Sequence, residues 1–284
     1  MKQSFDFEKQ PDIAWCPGCG NFQIRQSLLD AFESLSLDKT RTVMVSGIGQ
    51  AAKMPQYINT HFFNGLHGRA LPVAVSIKAA NPGLTVIAEG GDGDMYGEGG
   101  NHFIHNIRRN PDIAHIVHNN MVYGLTKGQA SPTSRKGFIT PVQVSGVINE
   151  PLNPLALALV LGAGFVARSF SGDAEKTKEL IMQAVEYPGY ALVDIFHPCV
   201  SFNKVNTFKW YRDNTVWLDE THDISSFENA LSKAMSLDPF YLGVLYKGDP
   251  KPVFHTQLAA YKNDTRPLFQ RNRNMRDVSS LLGV

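Results

Sequence analysis

Near the middle of the chain, carboxylates and amides are spaced as if to hold a cation on a phosphate. The apolar run Thr85-Val-Ile-Ala leads into Glu89-Gly-Gly-Asp-Gly-Asp94, and a later run, Ala114-His-Ile-Val-His, ends on Asn119-Asn120. A carboxylate just past one strand and an amide just past a later one can meet at the carboxyl edge of a parallel sheet. That edge is where open α/β sheets bind ligands. Oxygen ligands in small number are what Mg²⁺ takes when it sits on a phosphate. Gly91 and Gly93 let backbone N–H groups come close to the same phosphates. A lone Gly-Asp-Gly is ordinarily a turn. Paired with Asn119-Asn120 across two apolar runs, it reads as a binding signature.

Cys16, Cys19 and Cys199 are too few for a disulfide framework, and the Cys-x-x-Cys pair points to metal or redox chemistry. Lys127 lies in a long polar loop, where it meets either a substrate carboxylate or only solvent. Lys53 and Arg69 are candidate anion contacts or ordinary surface charges. His67 sits in a glycine-rich turn, Asn64-Gly-Leu-His-Gly-Arg69. His102 and His105 are one helical turn apart, but no other ligand cluster accompanies them, so packing or solvent is the expectation. His115 and His118 alternate with Ile116 and Val117 and read as satisfied core histidines, and Phe103, Ile104 and Ile107 as core.

Alternating strands and helices must position these groups. Residues 1–20 read as an extended arm ending in the Cys-x-x-Cys. Asn21 is expected to cap a helix to about Ser34, with Ile24, Leu28, Leu29 and Phe32 on its apolar side. Thr42–Ser46 reads as a buried strand closed by Gly47-Ile-Gly49, residues 70–80 as a helix, Val86–Ala88 as a strand and Gly97–Arg109 as a helix. Ala114–His118 follows as a strand, then a loop from Tyr123 to Ser134 of a length that usually signals function or disorder. Helices over Asn153–Leu161 and from Asp173 to Tyr187 alternate with strands Phe165–Phe170 and Tyr190–Phe196. Such alternation implies an α/β fold, a parallel sheet covered by helices on both faces. Periodicity weakens after Ser201. We read residues 1–210 as the binding domain and 211–284 as an extension that contacts other subunits, ragged from about Asn263.

The chain has 284 residues, 43% hydrophobic and 19% charged, which is ample for a sizeable core. A net charge of +1 gives no reason to expect nucleic acid or a membrane surface. No apolar stretch is long enough to span a bilayer, and no secretory leader is evident, so a cytoplasmic protein is expected.

Together the motifs resemble a known family. Gly91-Asp-Gly…Asn119-Asn120 resembles the thiamine diphosphate signature. Trp15-Cys-Pro-Gly-Cys-Gly-Asn21, Ser46-Gly-Ile-Gly49, Leu66-His-Gly-Arg-Ala70, Tyr123-Gly-Leu-Thr-Lys-Gly-Gln129, Ala130-Ser-Pro-Thr133 and His197-Pro-Cys199 occur around it in order. The set resembles the beta subunit of 2-oxoacid:ferredoxin oxidoreductases over about residues 10–210. The resemblance implies the thiamine diphosphate-binding fold and oxidative decarboxylation of a 2-oxoacid with coenzyme A to acyl-CoA, CO₂ and reduced ferredoxin, or the reverse. It implies that Asp92, Asn120 and the Val122 carbonyl hold Mg²⁺. Ile48, Gly49, Gln50, Ala51, His67, Gly91, Gly93, Asp94, Gly124 and Leu125 would line the cofactor. His67, Lys127, Leu125 and Lys53 are the expected catalytic and substrate-facing residues. Leu125 in Gly-Leu-Thr-Lys implies a larger 2-oxoacid, 2-oxoglutarate first. An alpha subunit would supply the other half of the cofactor site, with gamma and delta subunits and ferredoxin as further partners.

In that family two cysteines of the Cys-x-x-Cys, a third in the Ser-Gly-Ile-Gly-Cys turn and a fourth after the last strand hold a [4Fe–4S] cluster. Cys16, Cys19 and Cys199 match three; the remaining position is Gln50. Four thiolates are the normal requirement. The open alternatives are a cluster with a non-cysteine fourth ligand, a zinc site completed by His197, and a [3Fe–4S] cluster or no metal. Two functional alternatives stand beside the oxidoreductase: a non-oxidative thiamine diphosphate enzyme with structural zinc, and a non-catalytic regulatory subunit that keeps the fold.

Overall fold

The computed structural model describes residues 4–271. The strands are β1 (Thr42–Ser46), β2 (His61–Asn64), β3 (Thr85–Gly91), β4 (Ile113–Asn119), β5 (Phe165–Phe170), β6 (Tyr190–Phe196), β7 (Thr215–Trp217) and β8 (Phe240–Lys247). They form one sheet in the order β2-β1-β3-β4-β6-β5-β8-β7. Every pairing from β2 through β5 is parallel; β8 joins β5 antiparallel, and β7 lies parallel to β8. The mostly parallel α/β architecture expected from the alternation is present. The strands buried on both faces are near-continuous apolar runs, as parallel sheets require.

The helices are α1 (Asn21–Ser34), α2 (Ala70–Ala80), α3 (Gly100–Arg109), α4 (Pro154–Val160), α5 (Ala174–Glu186), α6 (Phe208–Asn214) and α7 (Phe227–Met235). Side chains alternate across each strand, so one strand feeds two cores. Ile87, Ala114, Ile116, Phe165, Val193 and Ile195 pack with Ile24, Leu28 and Phe32 of α1 and Leu180 and Ile181 of α5. Val86, Ala88, Val117, Val166 and Leu192 pack on the other face with α2, α3, α4 and α7. Burying one such Leu, Ile or Val contributes about 1.5–3 kcal/mol, so these two layers hold the sheet edge rigid. The amino-terminal arm belongs to this packing, for Phe5 is fully buried in the first core.

Several local expectations change. Asn21 begins α1 without capping it; its side-chain oxygen instead meets His118 Nδ1 at 2.9 Å. Asp173 occupies the cap position of α5 but makes no capping hydrogen bond. The single helix expected over Gly97–Arg109 is split into a π-helical turn, Gly93–Glu98, and α3. Glycines 93, 97, 99 and 100 weaken the helical pattern there and permit a wider turn. The edge strand β2 is exposed throughout, so it carries no burial signature. Residues 208–247, where periodicity weakens, contribute α6, β7, α7 and β8, and β8 bulges where its pairing shifts against Val166 and Ala167. The part of the expected ragged tail at 272–284 lies outside the described residues. No helix among those described is long and apolar enough to cross a membrane.

Candidate active site at the carboxyl edge of the sheet

From the adjacent strands β1 and β3 the chain departs in opposite directions, to β2 on one side and β4 on the other. This is a topological switch point, where the loops after the strands diverge and open a crevice. The crevice is lined by the turn after β1 (Ile48, Gly49, Gln50, Ala51), by His67, by Gly91–Asp94 after β3, and by Asn120, Val122, Tyr123, Gly124 and Leu125 after β4. Cys16, Cys19 and Cys199 line the same cavity. Residues from well-separated stretches of sequence therefore share one wall. Lys53 lies in the 3-10 turn Ala51–Tyr57 and Lys127 on the rim of the polar loop, and neither lines the cavity. Lys127 takes a left-handed backbone, φ 72°, so its strained loop turns sharply after Thr126.

Asp92 is 1% exposed, and burial pushes its carboxyl up to about 6, against the pull of hydrogen bonds from Ser131 and Thr133. Among the described residues its side-chain partners are hydroxyls rather than a basic group, with the Gly93 backbone N–H beside them. A buried carboxylate in that environment has no basic partner and could take a cation. Asn120 and Val122 line the same cavity, so the three could offer oxygen donors of the kind Mg²⁺ takes.

Asp94 has a different role. Its Oδ1 accepts the N–H groups of Ile48 (3.2 Å) and Gly68 (2.8 Å) and lies 2.5 Å from His67 Nδ1. One carboxylate thus ties the β1 turn and the His67 turn to the end of β3. The packing demands glycine on both sides, since a Cβ on Gly47 would lie 2.2 Å from Asp94 Oδ2 and one on Gly90 2.8 Å. With Nδ1 engaged by Asp94, the other ring nitrogen of His67 is left for the cavity, which that half-exposed side chain lines.

Tyr123 closes the side of the crevice. Its hydroxyl donates to the Gly93 carbonyl at 3.1 Å, and its ring fills the space a Cβ on Gly93 would enter, 2.1 Å away. Burial first, then the carboxylates around it, raises the phenol to about 12, so it remains a donor.

Around the cysteines, burial pushes the Cys19 thiol up to about 11; an Asn21 backbone hydrogen bond opposes this, and the negative charge of Cys199 and Cys16 adds to it. Thiols that raise one another in this way are lowered by a bound metal. The Ser201 hydroxyl donates to Cys16 Sγ at 3.0 Å. Gln50 lines the cavity too, and its side-chain oxygen is buried without a hydrogen-bond partner. Among the described residues no three His, Cys, Asp or Glu side chains are placed to hold a single metal ion. His197 is fully buried with both ring nitrogens unbonded, so the zinc alternative finds no assembled ligand set. The His102 and His105 pair gathers no third ligand either; His102 instead lies 3.0 Å from Arg69.

Two histidines expected as satisfied core residues are half satisfied. His115 Nδ1 lies 2.6 Å from the Tyr190 hydroxyl and His118 Nδ1 bonds Asn21, while both Nε2 atoms are buried without hydrogen-bond partners. Glu89, 3.6 Å from His118, is also fully buried with both oxygens unbonded, and burial holds its carboxyl well above the usual range. The hydroxyls that hold Asp92, and Tyr123 as a wall, do not emerge from sequence alone. Their signal is present as the Ser and Thr of Ala130-Ser-Pro-Thr133 and the Tyr of Tyr123-Gly-Leu-Thr-Lys, but hydroxyl residues in a polar loop have too many other uses to stand out.

Residues 42–195 match the thiamine pyrophosphate enzyme family, C-terminal TPP binding domain. Residues 199–263 match the C-terminal family of the pyruvate ferredoxin oxidoreductase beta subunit. The 2-oxoacid:ferredoxin oxidoreductase subunit beta of Saccharolobus solfataricus is 47% identical over 84% of this chain and 79% of its own. The chain belongs to the 2-oxoacid:ferredoxin oxidoreductase beta subunits. The 2-oxoglutarate oxidoreductase subunit KorB of Mycobacterium tuberculosis is 39% identical over 70% of the chain and 53% of its own length. A solved 2-oxoglutarate:ferredoxin oxidoreductase from Magnetococcus marinus, with 2-oxoglutarate, coenzyme A and succinyl-CoA bound, superposes with a TM-score of 0.90 at 35% identity, covering 98% of this chain and 94% of that one. As a beta subunit of this family, the chain is part of an oxidoreductase, its fold binds thiamine diphosphate, and its partner is an alpha subunit.

Proposed function

We propose that this beta subunit, joined to an alpha subunit, oxidatively decarboxylates a 2-oxoacid, with 2-oxoglutarate favoured, to the acyl-CoA and CO₂ while reducing ferredoxin. The observation that carries the reading is Asp92: a buried carboxylate held by hydroxyls, sharing one cavity with Asn120, Val122 and three cysteines. Asp92, Asn120 and the Val122 carbonyl hold Mg²⁺ on the diphosphate. Ile48–Ala51, Gly91, Gly93, Asp94, Gly124 and Leu125 line the cofactor. Thiamine diphosphate, when bound, supplies an electron sink for the carbanion left by loss of CO₂.

The chain's own residues orient and exclude. Asp94 fixes His67 in the tautomer that faces the cavity with a free nitrogen, which can take or give a proton at the substrate oxygen. Leu125 narrows the substrate side, and Lys127 on the rim meets the second carboxylate of a dicarboxylic 2-oxoacid. Support for 2-oxoglutarate comes from that loop sequence and from the relatives named for this substrate. Cys16, Cys19 and Cys199 would hold an iron–sulfur cluster, which would supply a one-electron carrier beside the cofactor; with Gln50 in place of a fourth thiolate, the chain would hold it less firmly. A cluster is wider than one ion, so its ligands need not converge on a point. Residues 211–284 contribute to the contact with other subunits.

The test is iron, sulfide and zinc analysis with EPR on the anaerobically purified complex, followed by 2-oxoglutarate- and CoA-dependent reduction of ferredoxin. Near-stoichiometric iron and sulfide with a reducible signal are expected, and a higher kcat/KM for 2-oxoglutarate than for pyruvate. Zinc or no metal would remove the electron route, and a far better rate with pyruvate would overturn the substrate.

A further inference from the structure

The segment Ala130-Ser-Pro-Thr133 follows the substrate-facing loop and supplies the hydroxyls that hold Asp92. In the fold its hydroxyls reach back to the end of β3. Ser131 Oγ donates to Asp92 Oδ2 at 2.5 Å, and Thr133 Oγ1 approaches the same oxygen at 2.5 Å. Both side chains are buried. Those lengths are the ones a hydroxyl adopts on an ionised carboxylate. Thr133 Oγ1 is also 3.0 Å from the side-chain oxygen of Asn119, but it has one proton, and the shorter, charge-assisted bond takes it. The neighbouring Ser134 fixes the segment: its hydroxyl donates to the Met121 carbonyl at 2.6 Å and accepts the Ser131 N–H at 2.9 Å. Pro132 fixes φ between the two hydroxyl residues and packs where a Cβ on Gly97 would lie 3.2 Å from its ring.

We propose that Ser131 and Thr133 are positioning residues for the metal carboxylate: they hold Asp92 Oδ2 and leave Oδ1 as the single oxygen that Asp92 offers to Mg²⁺. Two hydroxyls on one oxygen use its lone pairs and fix the carboxyl plane, so bidentate binding is closed off. A carboxylate left to rotate would have to be ordered again at each binding event. Groups that orient a metal ligand in this way typically change metal affinity by roughly 10–100-fold when removed. This role for Ser131 and Thr133 rests on the reading of Asp92 as the Mg²⁺ ligand.

The experiment uses the complex with its alpha subunit, stripped of metal by EDTA and titrated with Mn²⁺ by EPR, with and without thiamine diphosphate. Thiamine diphosphate-dependent Mn²⁺ affinity should fall about 10–100-fold in Thr133→Val and in Ser131→Ala. Thr133→Ser, which keeps the hydroxyl, should restore affinity to within about threefold of the unaltered complex, because orienting the ligand needs only the donor. The metal-free complexes should keep the same circular dichroism. Unaltered affinity in Thr133→Val and Ser131→Ala would overturn the proposal, as would an equal loss in Thr133→Ser and Thr133→Val. If the unaltered complex itself shows no thiamine diphosphate-dependent Mn²⁺ site, the metal reading fails, and this inference with it.

Discussion

At the level of single residues, the sheet edge tolerates an unusual load of buried polar groups, and their cost decides how the site is built. Asp94 Oδ1 accepts from three donors and so offsets part of its burial, while Oδ2 is buried without a partner. A hydrogen bond to a charged group contributes about 1.5–3 kcal/mol, against about 1–2 kcal/mol for ordering each turn residue, so the three bonds offset the ordering of a few residues. His115 and His118 are relieved at Nδ1 only and His197 at neither nitrogen; burial holds each at about 3, so they are neutral in the folded chain. His115 gives a test clear of the cavity. Its folded value lies below the ordinary 6.5, so between pH 6.5 and 3 the unfolded chain takes up a proton that the folded chain refuses. This histidine therefore destabilises the fold as pH falls through that window and has no effect above it. Relative to His115→Gln, the protein should lose about 1.4 kcal/mol per pH unit below 6.5, measured by urea unfolding at several pH values. A gap between the two proteins that does not change with pH would contradict the neutral buried state.

Among the elements, the turn after β3 and the loop after β4 are one construction. Gly93 begins the π-helical turn, and Tyr123 lies against it with a hydrogen bond to its carbonyl. A Cβ there would sit 2.1 Å from the ring, far inside contact distance, and the ring cannot retreat without giving up that bond. Gly93→Ala should cost about 1–3 kcal/mol of stability by overpacking and should abolish thiamine diphosphate binding. Calorimetric titration of the complex would check it, and retained binding would show that Tyr123 moves freely. The same elements explain which parts of the fold are legible in sequence. β3, β4, β5 and β6 are buried on both faces, so their apolar runs stand out. β8 is only partly buried and carries Gly243 at φ 120° beside its bulge, which breaks alternation. β2 is an edge, with Phe62 and Phe63 half exposed, and nothing in its short span distinguishes it from a loop.

For the molecule as a whole, the crevice is proposed to be half of a site. Its lining includes Ile48, Leu125 and Phe202, all exposed. Apolar side chains around an open cofactor crevice gain stability when a partner covers them. The chain alone should therefore show no 2-oxoglutarate-dependent reduction of ferredoxin or of an artificial one-electron acceptor, and mixing with the alpha subunit should restore it. Turnover by the isolated chain would overturn the two-module reading. The cavity also brings the three cysteines together with Asp92, Asn120 and Val122, the arrangement that the proposed electron transfer needs.

Local pattern was enough to specify the α/β sheet, through alternating apolar runs. It was also enough to single out Asp92 and Asn120, just past two such runs, and these come together in one cavity at the carboxyl edge. Which distant groups serve those residues was decided by tertiary structure. Ser131 and Thr133 lie about forty positions beyond Asp92, and His67 about twenty-seven before Asp94, yet both sets close within hydrogen-bond distance. Lys53 and Lys127 have the right charge but lie outside the cavity wall. A hydroxyl or a lysine has no periodicity to betray its partner; only the divergence of the chain from β1 and β3 at the switch point brings partner and group together.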